Sequence, residues 1–152
     1  MRLSKNFTLS EITKSNTAKR LGIDNAPNQE HLNNMQILIR DLIQPMRNAL
    51  GPIRISSGYR SPVLNRAIGG STKSQHCKGQ ALDLQFWKEG EMCNKEIYDW
   101  VLKEGVEFDQ MINEFDFAWI HISLKPGNKN RRMVLEAYKD NDGDTAYKVA
   151  DV

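Results

Sequence analysis

Cysteine is scarce in this chain of 152 residues. The two cysteines, Cys77 and Cys93, form no CxxC pair, which argues against a zinc site built from thiolates. Long apolar runs are missing too, and none approaches the roughly 20 residues that a membrane-spanning helix needs. Lysine and arginine are scattered and the net charge is only +2, so the clustered basic stripe of a nucleic-acid-binding protein is absent. We therefore expect no membrane insertion, no nucleic-acid partner and no thiolate metal site.

The N-terminus and the composition indicate a protein made inside the cell. Met1 to Asn6 starts with a basic residue, but no apolar segment follows, so we expect no signal peptide. With 39% hydrophobic and 26% charged residues, the composition is ordinary for a soluble globular protein. One domain spanning residues 1–152 is large enough to bury its own core, and a monomer is the simplest expectation.

Helices come first along the chain and strands follow. Between residues 28 and 50, apolar residues recur at spacings of three and four, the period of one helical face. A helix capped by Thr8 or Ser10 and ending near Arg20 is predicted before it. The other predicted elements are strands at 53–57, 80–86, 108–114 and 118–124, helices at 62–67 and 91–103, and a hairpin joining 133–138 to 145–149.

This order predicts an α+β domain. Its expected parts are N-terminal helices at about 1–50, a mostly antiparallel central sheet at about 53–125 and a C-terminal hairpin at about 131–150. No repeat or linker divides the chain.

Two histidines and an aspartate form a pattern that suits a hydrolytic zinc ion. His76 and Asp83 lie on either side of Gly79, where a tight turn leading into a strand would bring both side chains together. His121 lies between two isoleucines in a strand, so its side chain faces away from the side on which they pack. Two neutral imidazoles and one carboxylate leave the fourth zinc position open, as in catalytic sites. The sequence predicts one catalytic Zn²⁺ held by these three residues.

The residues around these ligands resemble those of a known family. The string Ser-x-His-x-x-Gly-x-Ala-x-Asp at 74–83 resembles the signature of the zinc D-Ala-D-Ala carboxypeptidases. The likeness extends to Ser57-Gly58-Tyr59-Arg60-Ser61, Asn65, Gly69-Gly70-Ser71 and Trp119-Ile120-His121. It covers roughly residues 4–125 and is strongest to the small single-domain members found in bacteriophages and prophages. The resemblance implies a Hedgehog/DD-peptidase-like α+β fold with zinc bound by His76, Asp83 and His121.

The resemblance also implies roles for other residues. Arg60 matches the family's arginine, whose guanidinium can bind a peptide carboxylate or the developing oxyanion. Ser74 matches the serine before the first zinc histidine and would bind substrate or brace its loop. Many relatives carry an acidic residue three positions before the last zinc histidine, where this chain has Ala118. We therefore expect Glu114, at the end of the preceding strand, to be the general base, with Asp116 as the fallback.

Together these features predict a zinc metallopeptidase that hydrolyses an amide bond in peptidoglycan stem peptides, with a zinc-activated water as nucleophile. The bond would be that of a D-Ala-D-Ala carboxypeptidase or of an L-Ala-D-Glu endopeptidase, which share this zinc set. The protein would be made in the bacterial cytoplasm and act on the cell wall after release, like a bacteriophage endolysin, or as part of a phage particle. The alternative is a noncatalytic zinc-bearing module of the same fold that binds the wall or serves as a phage structural protein.

Three other features have plainer interpretations. Asp140 to Asp144 hints at a calcium loop but lacks the glycine and glutamate of an EF-hand, so a hairpin turn is expected. Cys77, next to His76, is expected to be structural and to point away from the metal. His31 has no partner in the sequence and is expected to be solvated.

Overall fold

The computed structural model describes residues 1–127 and 129–152, which build helices against a seven-stranded sheet. The helices are α1 (Leu9–Thr13), α2 (Asn16–Leu21), α3 (Gln29–Leu38), α4 (Gln44–Leu50), α5 (Pro62–Ala67) and α6 (Asn94–Glu104). The strands are β1 (Ile53–Ser57), β2 (Ala81–Lys88), β3 (Glu91–Met92), β4 (Gln110–Glu114), β5 (Trp119–Ser123), β6 (Met133–Lys139) and β7 (Thr145–Val149). The expected α+β architecture is confirmed. Within the described parts of the chain, no helix is both long enough and apolar enough to cross a membrane.

The amphipathic segment predicted at 28–50 is helical almost throughout. Ile39–Ile43 forms one π-helical turn between α3 and α4, so the three pieces run on without a break. This wider turn ends two residues before Pro45, which has no N–H to donate to the preceding turn. The fully buried members of the apolar face are Met35, Leu38, Ile39, Leu42, Ile43 and Met46. Each such side chain contributes roughly 1.5–3 kcal/mol by leaving water, so this face anchors the helical layer on the sheet.

Two predicted helix boundaries are wrong for local reasons. The first helix is divided, because Ser15 accepts a hydrogen bond from the backbone N–H of Ala18 and starts α2 anew. The helix predicted from residue 91 starts at Asn94, because Glu91–Met92 pairs with the end of β2 as a short strand.

The strand order is β1-β2-β5-β4-β6-β7, with β3 paired to β2. The central strands β1, β2, β5 and β4 pair antiparallel, as predicted. The C-terminal hairpin of β6 and β7 is present as predicted, but β6 pairs with β4 in parallel. Strand β5 already has a partner on each side, so the hairpin adds to the free edge of β4. This placement brings the hairpin next to the residues of β4.

The register of the central strands places the site residues in one row. Asp83 of β2 lies opposite His121 of β5, which lies opposite Ile112 of β4. The neighbours of His121, Ile120 and Ile122, are fully buried on the other face, as the alternation predicted.

Gly79 allows the loop that carries His76 to lie close to α3. It ends the 3₁₀ turn Gln75–Lys78 in the left-handed conformation, with a φ of +72°. A Cβ at this position would meet the backbone carbonyl oxygen of His31, so a larger residue would push the turn away from the helix. The glycine thus allows the turn that carries His76 to pack against α3.

Candidate active site

His76, Asp83 and His121 meet in an open cleft of about 720 Å³ above the central strands. Oδ1 of Asp83 lies 3.3 Å from Nε2 of His76 and 3.1 Å from Nδ1 of His121. The two imidazole rings meet edge to face with centroids 5.2 Å apart. The candidate ligand atoms of all three residues lie within 4.8 Å of one another. The fold therefore assembles the three residues that the sequence nominated as metal ligands.

The backbone around His76 orients its ring. Nδ1 donates a hydrogen bond to the carbonyl oxygen of Gly58 at 2.8 Å. Because a carbonyl can only accept, the proton stays on Nδ1 and Nε2 keeps its lone pair. Ser74 caps the 3₁₀ turn, since its Oγ accepts the backbone N–H of His76 at 3.3 Å. A metal-binding histidine is commonly held in this way by a carbonyl on its other nitrogen.

Asp83 supplies the negative charge of the cluster. Burial acts to raise the pKa of its carboxyl, but the neighbouring imidazoles of His121 and His76 outweigh burial and hold the pKa well below its usual range. The cluster therefore offers one carboxylate oxygen and two imidazole nitrogens as candidate ligand atoms. This donor set fits Zn²⁺, which binds such atoms in four-coordinate sites.

Glu114 lines the same cleft from the end of β4. Glu114 pairs with Trp119, which lies two residues before His121 on the same face of β5. The row of Glu114 and Trp119 is therefore about 7 Å along the strands from the row of Ile112 and His121. Burial raises the pKa of Glu114, the charge of His121 opposes that effect and the charge of Asp83 adds to it. A raised pKa makes a carboxylate a stronger proton acceptor than an exposed one.

The turn that follows Glu114 has an uncommon backbone. Phe115, Asp116 and Phe117 all have positive φ values, +52°, +55° and +61°, which non-glycine residues rarely adopt. Two buried amides hold it: Oδ1 of Asn113 accepts from the N–H of Phe117 at 2.6 Å, and Asn94 donates to the Phe117 carbonyl oxygen at 2.8 Å. The turn is therefore fixed by neighbours that surround it on both sides.

Asp116 lies away from the three candidate metal ligands. It lines a surface groove together with Lys95, Asn113 and Glu136, whereas Glu114 lines the cleft. Of the two acids nominated as base, only Glu114 shares the cleft with the three candidate ligands.

Arg60 and Ser74 lie together at the wall of the cleft. Nη2 of Arg60 is 3.5 Å from Oγ of Ser74, and the backbone N–H of Arg60 donates to the carbonyl oxygen of His76. Nε of Arg60 is buried and has no hydrogen-bond partner among the described residues. Arg60 is thus tied to the loop that carries His76 and lines the cleft.

Sequence reasoning missed the contribution of the C-terminal hairpin to the cleft. Leu135 of β6 and Tyr147 of β7 line it. The pKa of Tyr147 is raised, first by partial burial and then by the negative charges of Glu114 and Asp83. No motif marks these residues, because their position depends on the parallel pairing of β6 with β4.

The remaining histidine and the acidic turn also have clear surroundings. His31 is half-buried, with Nδ1 2.8 Å from the hydroxyl of Tyr59, so the prediction that it is solvated was wrong. Its partner lies on the loop against which α3 packs, a contact that the sequence does not reveal. Cys77 is buried. At the hairpin turn, Oδ1 of Asp140 accepts the backbone N–H groups of Asp142 and Asp144, as expected for a turn.

A buried carboxylate that the sequence did not single out lies below one end of the cleft. Asp109 is completely inaccessible to solvent. Its oxygens accept from Nη2 of Arg131 at 2.7 Å and from Nε2 of Gln75 at 3.1 Å, and Nζ of Lys125 lies 3.6 Å away. Burial acts to raise the pKa of Asp109, but the hydrogen bonds from Arg131 outweigh it and hold the pKa at about 2.

We predict that Asp109→Asn destabilises the protein by about 2 kcal/mol at neutral pH, because the folded-state pKa lies nearly two units below the ordinary value. A depressed pKa contributes stability above the ordinary value of 3.8, and this stability is lost as the pH falls towards 2. Urea unfolding of both proteins at several pH values would measure the difference. It should shrink between roughly pH 4 and pH 2. A difference that stays constant over that range would contradict the electrostatic explanation.

Comparison with known proteins gives two matches. The chain matches the family Peptidase M15 over residues 5–123. A zinc D-Ala-D-Ala carboxypeptidase of Streptomyces albus G is 40% identical to the chain over 50 residues, which is 32% of this chain and 20% of that protein. The match thus spans about one fifth of that relative's length. Both findings confirm the resemblance predicted from the motifs, and the family match ends before β6 and β7.

Proposed function

The chain belongs to the Peptidase M15 family, and on that premise we propose that it is a zinc metallopeptidase that hydrolyses an amide bond in a peptidoglycan stem peptide. The observation that carries the proposal is the meeting of His76, Asp83 and His121 in an open cleft. These residues would hold one Zn²⁺, and Nε2 of His76 is already prepared for it by the bond from Nδ1 to Gly58. Zinc supplies Lewis acidity, which polarises a carbonyl and lowers the pKa of water.

In this proposal Glu114 moves the proton. Its carboxylate takes a proton from the attacking water and gives it to the nitrogen of the leaving amine. Burial favours this role, because it raises the pKa of Glu114 above that of an exposed carboxyl. The position at the end of β4, about 7 Å along the sheet from the ligand row, leaves room for the scissile bond between the carboxylate and the metal ligands.

Arg60 and Ser74 would bind the peptide. The guanidinium of Arg60 offers planar, paired donors that suit a carboxylate or the oxyanion that develops at the attacked carbonyl. Arg60 lines the cleft beside His76, which favours this assignment. Ser74, 3.5 Å from Nη2, both caps the His76 turn and can contribute its hydroxyl to the substrate.

The bond that is cut is either the terminal D-Ala-D-Ala bond or the L-Ala-D-Glu bond. The similar protein of Streptomyces albus G is named for the first of these. The likeness of the motifs to small phage members supports a role in cell wall degradation, as an endolysin or as part of a phage particle. Made in the bacterial cytoplasm, the protein would meet its substrate after release.

A noncatalytic wall-binding or structural module is the second candidate, and Ala118 favours it. Many relatives carry an acid at this position, and its loss would be expected in a chain that kept the fold without the reaction. Against it stands Glu114, which offers a carboxylate in the same cleft.

The test is to incubate the zinc-loaded protein with defined stem peptides and identify the products by mass spectrometry. Release of a terminal D-Ala would establish a carboxypeptidase, and cleavage between L-Ala and D-Glu an endopeptidase. If no product forms that depends on metal, with peptides from any wall type, the noncatalytic module is the better description.

A further inference from the structure

The two ends of the cleft differ in chemistry. Along β4, the side chains of Glu114, Ile112 and Gln110 face the cleft in turn, so the floor spans about 13 Å. Glu114 lies at one end with aromatic side chains. At the other end, beside Gln110, the cleft is lined by Lys125 after β5 and Arg131 before β6. We call this second part the cationic end.

The cationic end is built on the buried Asp109. The carboxylate accepts from the backbone N–H, Nε and Nη2 of Arg131, whereas Nη1 takes no part in that pairing. Nζ of Lys125 approaches the same carboxylate. One buried negative charge thus faces two cations, whose side chains remain 45% and 33% exposed. A positive charge is left over, and the pairing holds it in a fixed position.

The charge of the whole cleft has the same sign. The cations that line it are Arg60, Lys73, Lys78, Lys125 and Arg131. Among the described residues that line it, Asp83 and Glu114 are the only carboxylates. In the proposed function Asp83 binds the metal and Glu114 transfers the proton. A cleft with this imbalance concentrates anionic ligands and disfavours cationic ones.

We propose that Lys125 and Arg131 form a carboxylate-binding subsite, and that the peptide substrate carries a free carboxylate on the side of the scissile bond that lies over the cationic end. This inference rests on the proposed function and goes beyond it by assigning the substrate an acidic group. The subsite lies beyond the residues that match the family, and Arg60 is a separate anchor on another loop. The rows of Ile112 and Gln110 are about 7 Å apart, so the carboxylate belongs to a residue about two positions from the scissile bond.

The test uses a series of stem peptides in which each carboxylate in turn is replaced by its amide. For one member of the series, wild-type KM should rise about tenfold while kcat changes less than about twofold, because a charge-assisted contact is lost. Lys125→Gln and Arg131→Gln should each raise KM for the unmodified peptide by about the same factor. In these variants, KM for the unmodified peptide should equal KM for that amide peptide. Arg131→Lys should restore part of the discrimination, since it keeps the charge without the fork.

One control variant and one mild test variant separate loss of the subsite from loss of folding. Arg132→Gln removes a neighbouring cation that lies over the ring of Phe108, outside the cleft, and should leave KM unchanged. Lys125→Gln leaves the pair between Asp109 and Arg131 intact, so it tests the subsite even if Arg131→Gln is unstable. If every single amide is handled like the parent peptide, or if both variants retain the discrimination, the subsite is disproved.

Calorimetric binding to zinc-loaded Glu114→Gln protein separates this inference from the proposed function. If wild type hydrolyses the peptides but no amide weakens binding, the subsite fails and the peptidase stands. If no peptide is hydrolysed but one amide binds about tenfold more weakly, and Lys125→Gln removes that difference, the subsite stands and the peptidase fails.

Discussion

We expect His121→Ala and His76→Ala to lose both the bound zinc and the hydrolysis of stem peptides. Each substitution removes one of the three proposed ligands, and two remaining protein ligands would not hold Zn²⁺ in a defined geometry. We expect kcat/KM to fall on the order of 10³-fold or more, since the metal supplies several kcal/mol of transition-state stabilisation. Zinc content measured on the purified proteins should fall from one equivalent to a small fraction of one.

His31 provides a matched control for these changes. It is the one histidine of the chain that is not a proposed ligand, and it lies against Tyr59. His31→Ala should keep one equivalent of zinc and most of the activity. Full zinc content in His121→Ala, or the same loss in all three variants, would count against the assigned ligands.

Glu114→Gln should leave zinc binding intact and lower kcat by roughly 10² to 10⁴-fold, the usual contribution of a general base. The amide keeps the size of the side chain but cannot accept the proton of the attacking water. Steady-state kinetics together with zinc analysis would separate this loss from a loss of metal.

Asp116→Asn is the corresponding control. Asp116 is close in sequence but lines the groove with Lys95 and Glu136, so the change should alter kcat less than about twofold. If Asp116→Asn abolished hydrolysis while Glu114→Gln did not, Asp116 would be the base. If neither acid mattered in an active enzyme, the proton would have to move through another group.

Local patterns, together with the resemblance of the Ser74–Asp83 string to a known family, were enough to predict that His76, Asp83 and His121 lie together. His76 and Asp83 are separated by a short loop whose glycine has a readable role, and the alternation around His121 shows which face it occupies. Such signals depend on neighbours in sequence. The same holds for the long helix at 28–50, whose apolar period survives even the π-helical turn before Pro45.

Contacts between distant segments were not predictable in this way. The partner of His31 is a tyrosine on another loop, and the parallel pairing of β6 with β4 depends on which edge of the sheet is free. Tyr147 therefore reaches the cleft without any local sign. The burial of Asp109 was also not predictable, because only the folded chain shows that this aspartate lies beneath two cations.

The choice between Glu114 and Asp116 illustrates the same limit. Both acids lie within a few residues of β5, the strand that carries His121, and the sequence does not show which way each side chain points. The left-handed turn at Phe115 to Phe117, held by Asn94 and Asn113, sends Asp116 to a different surface. Side-chain direction at a turn depends on backbone angles that buried amides from other elements impose.

The most direct test of a catalytic zinc ion is to titrate metal-free protein with Zn²⁺ while following hydrolysis of a stem peptide. Activity should be absent after chelation, rise in proportion to added zinc and level off at one equivalent for wild type, with no rise for His76→Ala. Hydrolysis that persists without metal, or zinc that binds at one equivalent without producing hydrolysis, would contradict the account.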